Sequence, residues 1–203
     1  MSFPPLPRRR FLGWVLGTPL VLAVAARPGF SDVVKAAAKL APTPDCDDGD
    51  EPTPSETQGP FFRVHSPERT SLLEKGMPGT KIVVSGRVFR AGCQPVAGAL
   101  LDFWHADDEG QYDNQGFRLR GHQFTDAAGR YRLETIVPGL YPGRTRHIHV
   151  KVQAPRGRIL TTQLYFAGEP RNQRDGLYMP ELEMRIQNVE KERQGGFHFL
   201  LDA

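Results

Sequence analysis

The chain has 203 residues and a formal charge of +3, long enough for one domain with a real core. Three of its cations stand together at Arg8, Arg9 and Arg10, and no basic patch interleaved with aromatics follows them, which argues against nucleic-acid binding. Neither a Gly-x-Gly-x-x-Gly nor a Walker pattern occurs, so the sequence offers no home to a nucleotide-type organic cofactor.

Residues 1–41 read as a leader. The arginine triplet precedes Phe11 and Leu12, and a thirteen-residue run from Trp14 to Ala26 carries no charge. Such a run is too short to cross a bilayer as a helix, which needs about 20 apolar residues. It reads instead as a twin-arginine export signal, with Ala23-Val24-Ala25 as a small-residue cleavage site and cuts near Ala38 or Ala41 as alternatives. The expected partner is the twin-arginine export machinery, and the expected location is periplasmic or secreted. Cleavage after Ala25 would remove the three arginines and no acid, taking the formal +3 to zero. The bland alternative is a basic tail on a cytosolic protein.

Residues 42–56 (PTPDCDDGDEPTPSE) are acidic and proline-rich without apolar periodicity, and read as an extended or flexible lead-in. From Thr57 to residue 203, apolar and β-branched runs recur between glycine and proline punctuation: KIVVSGRVF, GALLDFWHA, GRYRLETI, RHIHVKVQA, ILTTQLYFA and GGFHFLLDA. That spacing predicts an all-β sandwich. Residues 181–193, with 32–41 as a weaker case, are predicted helical. Cys46 and Cys93 stand open between a bridge, in an oxidising compartment, and two free thiols.

Chemistry concentrates in EGQYDN, which carries Tyr112, and in YPGRTRHIH, Tyr141 to His149. Residues two apart in a strand share a face, so His147 and His149 present both imidazoles to one side while Ile148 turns into the packed side. Phenolate is a hard anionic donor, and two phenolates with two imidazoles suit oxidised iron better than zinc or calcium. Each piece alone is weak: a His-x-His pair is as readily a solvated face, and a lone tyrosine is more often packing. Tyr131, Tyr165 and Tyr178 take that bland reading, and so do His65, His105, His122 and His198.

The series TQGPFF, GRVF, LDFWHADDEGQYDN, FTDAAGRYRLETIVPGLYPG, RTRHIHVKV and TTQLYFAGEP, over roughly residues 55–170, resembles the intradiol ring-cleavage dioxygenases. These are the catechol, hydroxyquinol and protocatechuate enzymes. The resemblance implies a prealbumin-like antiparallel sandwich with the metal site on loops and one strand. It implies a non-haem Fe(3+) held by Tyr112, Tyr141, His147 and His149, with Tyr141 and His149 axial and a solvent hydroxide in the fifth position. Arg144 would steady negative charge on the substrate, with Arg146 the competing candidate, and Gln163 would line the pocket or support it. The implied reaction opens a catechol-type ring between its hydroxylated carbons with O2 to give a muconate-type diacid. Tyr141 would act as a leaving ligand that takes up a substrate proton.

The chain also departs from that pattern. Only five residues separate Tyr141 from His147, where the better-known enzymes carry a longer insertion, and Gly143 replaces a bulky residue. Both changes are expected to open the pocket wall to larger or differently substituted catechols, and the short loop raises the alternative of a misplaced Arg144. No helical N-terminal dimerisation domain like that of the catechol and hydroxyquinol enzymes is expected from these residues, and a homo-oligomer is compatible with the sequence without being specified by it. The competing functional class is a secreted β-sandwich that binds a metal or a carbohydrate without turnover.

Overall fold

A computed structural model describes Cys46, residues 51–189 and residues 192–202. The leader and the predicted helix at 32–41 lie outside the described residues.

Ten strands form a curled sheet: β1 Lys81–Arg90, β2 Gln94–Pro95, β3 Leu100–Trp104, β4 Arg120–Phe124, β5 Arg130–Ile136, β6 His147–Gln153, β7 Ile159–Phe166, β8 Glu183–Val189, β9 Glu192–Gly196 and β10 Phe199–Leu201. One half runs β4-β3-β6-β7, antiparallel throughout. The other half is built on β1, which pairs with β5, β2, β9 and β10, while β9 pairs with β8. A short parallel contact, Tyr165 with Glu183 and Phe166 with Met184, joins the halves. The expected sandwich is therefore mostly antiparallel, with three parallel pairings at β1–β10, β1–β9 and β7–β8.

Alternation explains the core. Val84 and Val88 of β1, Leu101 and Phe103 of β3, Leu133 of β5, Ile148, Val150 and Val152 of β6 and Leu164 of β7 belong to one buried cluster between the halves. Their neighbours in sequence face outward, so His147, His149, Gln163 and Tyr165 share the other face of the β6–β7 pair. Register sharpens this. Trp104 lies opposite His149, His149 opposite Gln163, and His147 opposite Tyr165. Directly opposed residues point to the same face, so these side chains form two adjacent rows.

The helix predicted at 181–193 is a 3₁₀ turn, Pro180–Leu182, followed by β8 and, beyond it, β9. The many good helix formers suggested a helix, but Leu182, Met184 and Ile186 recur at a spacing of two. Leu182 and Met184 are buried, and that alternation is what the sheet reads. Tertiary pairing overrides the propensity.

The described part of the lead-in, residues 51–56, is extended and fastened to the sandwich. Thr53 exchanges bonds with Leu200, its N–H donating at 2.9 Å and its hydroxyl accepting at 2.8 Å. Glu56 N–H donates to Thr161 O at 2.8 Å, and the Thr162 hydroxyl donates to Pro54 O at 2.8 Å. Upstream, Cys46 is joined to Cys93 by a disulfide that anchors this strap beside the β1–β2 turn.

Candidate metal centre

Four segments meet over the outward face of β6 and β7. The strap continues through Gly59, where a Cβ would lie 3.5 Å from His149 Cε1, so the chain passes close against the imidazole. Phe61 then stacks on Tyr112 with ring centroids 4.2 Å apart and meets Tyr141 edge-on at 5.3 Å. Phe62 packs edge-on against Trp104 at 4.8 Å. These aromatics form a second, smaller buried cluster and turn a sheet face that would otherwise be wet into a desolvated pocket.

The two tyrosines arrive on loops that touch through glycines. A Cβ on Gly110 would lie 2.5 Å from Leu140 O, and one on Gly139 would lie 2.3 Å from Gly110 N. The Gly139 N–H donates to Asp107 O at 2.6 Å. Tyr141 opens a tight turn in which Pro142 fixes the first corner, Gly143 sits at φ +78°, and Arg144 N–H closes back on Tyr141 O at 3.0 Å. A turn of this kind needs glycine at its third position. Arg120, 2% exposed, fastens the Tyr112 loop to the strap, donating from Nη2 to Asp113 O at 2.8 Å and from Nη1 to Phe61 O at 2.5 Å. The Asp113 carboxylate accepts backbone N–H bonds from Gly116, Arg118 and Gln115, which hold its pKa at about 2.

Within this frame the donor atoms converge. Tyr112 Oη lies 3.2 Å from His147 Nε2, and His147 Nε2 lies 3.1 Å from His149 Nε2. The ring of Tyr141 stands edge-on to that of Tyr112, centroids 5.8 Å apart, and among the described residues its hydroxyl makes no hydrogen bond. His147 Nδ1 donates to Thr145 O at 2.7 Å, which fixes the tautomer and leaves the Nε2 lone pair facing the cluster. His149 lies flat on Trp104, centroids 4.8 Å apart and planes within 4°. Among the described residues its buried Nδ1 has no partner, nor does Trp104 Nε1.

Burial sets the charge states. It pushes His147 down to about 4 and His149 well below the ordinary imidazole value, so both rings are neutral donors at neutral pH. Burial also raises Tyr112 above the ordinary phenol range. Two neutral imidazoles beside two phenol oxygens, hard donors when ionised, suit a hard, highly charged metal. Among the described residues no group of three or more His, Cys, Asp or Glu could hold one.

Arg144 stands beside it. Its Nε donates to both Asp175 oxygens, at 2.8 and 3.1 Å, and its Nη2 donates to Gln163 Oε1 at 2.7 Å and to Tyr165 Oη at 3.2 Å. Gln163 in turn donates to Thr57 O at 3.0 Å. Burial works to raise Asp175, but the N–H groups of Leu177 and Thr145 and the Arg144 guanidinium outweigh it and hold the carboxyl below its ordinary value. Arg146 turns away, its Nε pairing with Glu169 at 2.8 Å and its Nη1 donating to Pro138 O.

The remaining histidines, with Tyr131 and Tyr178, have other partners. His105 bonds Thr135 Oγ1 and Ala106 O, His122 bonds Ser66, His198 accepts from Arg87 N–H, and His65 is exposed. Tyr131 and Tyr178 donate to Phe197 O and to Glu183. Tyr165, read from the sequence as a packing residue or a satisfied hydroxyl, donates to Leu177 O at 2.8 Å and accepts from Arg144. Phe61, Trp104, Arg120 and Asp175 were missed. Only the strand register, which sets Trp104 opposite His149, could have pointed to one of them.

Residues 57–201 match the family model Dioxygenase_C, described as Dioxygenase. The chain belongs to the intradiol ring-cleavage dioxygenases. It is 33% identical over 144 residues to catechol 1,2-dioxygenase 2 of Acinetobacter lwoffii, covering 58% of this chain and 52% of that one. It is 37% identical over 119 residues to the protocatechuate 3,4-dioxygenase beta chain of Burkholderia cepacia, covering 49% and 51%. Among solved structures it resembles the dioxygenase domain of a dioxygenase carbohydrate-binding protein fusion from Streptomyces sp. SirexAA-E. That match has 56% identity and a TM-score of 0.74, covering 75% of this chain and 99% of that one. The 3-chlorocatechol 1,2-dioxygenase of Rhodococcus opacus 1CP matches at 27% identity and TM-score 0.69, covering 74% and 72%. The chain spans about half the length of the curated relatives it matches.

Proposed function

We propose that this intradiol dioxygenase holds one ferric ion through Tyr112, Tyr141, His147 and His149. It opens a catechol-type ring between its two hydroxylated carbons, incorporating both atoms of O2 into a muconate-type diacid. The observation that carries this reading is the approach of His147 Nε2 to Tyr112 Oη at 3.2 Å and to His149 Nε2 at 3.1 Å, beside a Tyr141 hydroxyl with no bond among the described residues. When bound, ferric iron supplies a Lewis-acidic template for the aromatic substrate.

The protein's own groups do the rest. Tyr141, half-buried and, among the described residues, unbonded at its hydroxyl, is the side chain that as a phenolate would take up one of the two protons a catechol must lose, the other passing to a solvent hydroxide. Asp175 and Gln163 hold the Arg144 guanidinium in place, and among the described residues its Nη1 is without a partner and available to negative charge developing on the ring. His147 is aimed by Thr145, and His149 by the Trp104 face. Phe61, Phe62 and Trp104 exclude water from the donors, which strengthens every charge interaction among them.

We also propose that the protein acts outside the cytoplasm, delivered folded by the twin-arginine route. The Arg8-Arg9-Arg10 leader and the Cys46–Cys93 bridge support that location from separate parts of the chain. The visible spectrum of the purified protein tests the central proposal. A tyrosinate charge-transfer band should appear, shift on adding a catechol, and decay as oxygen is consumed. Colourless iron-loaded protein would overturn the two-tyrosine site.

A further inference from the structure

The strap that leads into the metal centre is fixed covalently at one end and by ring contacts at the other. Upstream, the Cys46–Cys93 bridge joins it to the 3₁₀ turn Ala91–Cys93 between β1 and β2. Downstream, Phe61 stacks on Tyr112 and Phe62 meets Trp104. Between these anchors no residue from Glu51 to Pro60 is buried, and none belongs to the main core cluster.

Hydrogen bonds near the surface hold the middle. Thr53 exchanges bonds with Leu200, Pro54 O accepts from Thr162, Glu56 N–H donates to Thr161 O, and Thr57 O accepts from Gln163. A segment with exposed backbone bonds and few buried apolar contacts is where a native protein opens first. Anchored at both ends, it can open only as a closed loop. Anchored at one end, it peels away and gains far more freedom.

What the strap covers is the site. Gly59 runs so close to His149 that a Cβ would lie 3.5 Å from Cε1 and 3.9 Å from Nε2, the atom that faces His147. The Thr57 carbonyl holds the Gln163 amide, whose oxygen accepts from Arg144. Phe61 O accepts from Arg120, the same guanidinium that holds Asp113 beside Tyr112. Peeling the strap back therefore uncovers one imidazole and loosens the supports of Arg144 and of the Tyr112 loop together.

From this arrangement, resting on the proposed iron site, we infer that the Cys46–Cys93 bridge is a redox-operated latch on the metal centre. Closed, it holds the strap over His149 and retains the ion. Open, it lets the strap peel and the ion exchange with solution. Cys93 is partly exposed and stands between exposed Gly92 and Gln94, so a thiol from solvent reaches the bridge. With a small dithiol as reductant, one thiolate bonds to Cys93 Sγ as the bond to Cys46 breaks, and the second closes the reagent's own disulfide and releases Cys93. Two electrons pass to the bridge, and the reagent's two protons end on the two cysteines.

The test removes the bridge by substitution, because a dithiol would also reduce ferric iron. Cys46→Ser with Cys93→Ser is compared with wild type in two measurements. In the metal-free proteins, the amides of Thr53 and Glu56 should exchange with deuterium on the order of ten-fold faster or more in the variant, while the central β6 amides change less. In the iron-loaded proteins, loss of iron to EDTA, followed through the tyrosinate band, should accelerate by a similar factor. Thr162→Val keeps the bridge and deletes the bond to Pro54 O, and should move both readings the same way by a smaller factor. Strap and β6 amides that change equally, or iron loss at the wild-type rate in both variants, would overturn the latch and leave the dioxygenase reading standing. If the serine pair does not fold, an unchanged Thr162→Val overturns the latch by itself. Wild type without bound iron or a tyrosinate band would remove both.

Discussion

Replacing Gly110 by alanine separates the contribution of loop contact from that of backbone conformation. Gly110 has φ +84°, where an L side chain costs about 1–2 kcal/mol. The added methyl would also lie 2.5 Å from Leu140 O and 3.2 Å from Tyr141 N, the first about 0.9 Å inside ordinary van der Waals contact. Forcing a methyl into a packed contact costs about 1–3 kcal/mol. Gly110→Ala should therefore lose about 2–5 kcal/mol, part of it relieved by pushing the Tyr141 loop away from Tyr112. Gly168→Ala is the matched control, with φ +74° and nothing within 4 Å of the new methyl, and should lose only the backbone part, about 1–2 kcal/mol. Urea midpoints of both variants against wild type measure the stabilities. Iron content and the tyrosinate band report the separation of the two phenols, and Gly110→Ala alone should weaken both. Equal midpoints for the two variants, with iron and band unchanged in Gly110→Ala, would refute the argument that glycine contact sets the tyrosine spacing.

Tyr141→Phe should keep most of its iron and lose most ring-opening activity, read by iron assay and oxygen uptake; unchanged turnover would remove Tyr141 from its proton role. His147→Ala with His149→Ala should lose most of the metal, and full iron content in that double variant would sink the ligand assignment. Asp175, held below the ordinary carboxylate value, contributes stability that is complete above an unfolded value of about 3.9 and is lost as pH falls through its lower folded value. Asp175→Asn should therefore lower the urea midpoint at pH 7 and flatten its decline towards pH 3, whereas parallel curves for the two proteins would contradict that role. Arg8→Lys with Arg9→Lys should leave the protein in the cytoplasm, and normal export of that variant, followed by fractionation, would count against the twin-arginine reading.

Local pattern determined much of this protein. Alternation along β1, β3, β6 and β7 is written in the chain, because a strand with one face in a core must repeat every two residues, and the same rule sets His147 and His149 on one side. Tyr-Pro-Gly-Arg likewise encodes its own turn, since proline fixes one corner and glycine alone sits easily at φ +78°. At residues 183–189 the residue types suggested a helix, and pairing with β7 and β9 made the segment a strand.

Tertiary structure alone decided which side chains surround the donors. Phe61, Trp104, Arg120 and Asp175 come from segments separated by up to 114 positions in the sequence, and nothing in their local sequence marks them. Their roles depend on register and loop crossing: Trp104 faces His149 because β3 pairs with β6 in that alignment, and Arg120 reaches Phe61 because the strap crosses its strand. The desolvation that makes both imidazoles neutral arises there too. Burial is a property of everything packed around a residue, and a residue's own neighbours in sequence supply only part of it.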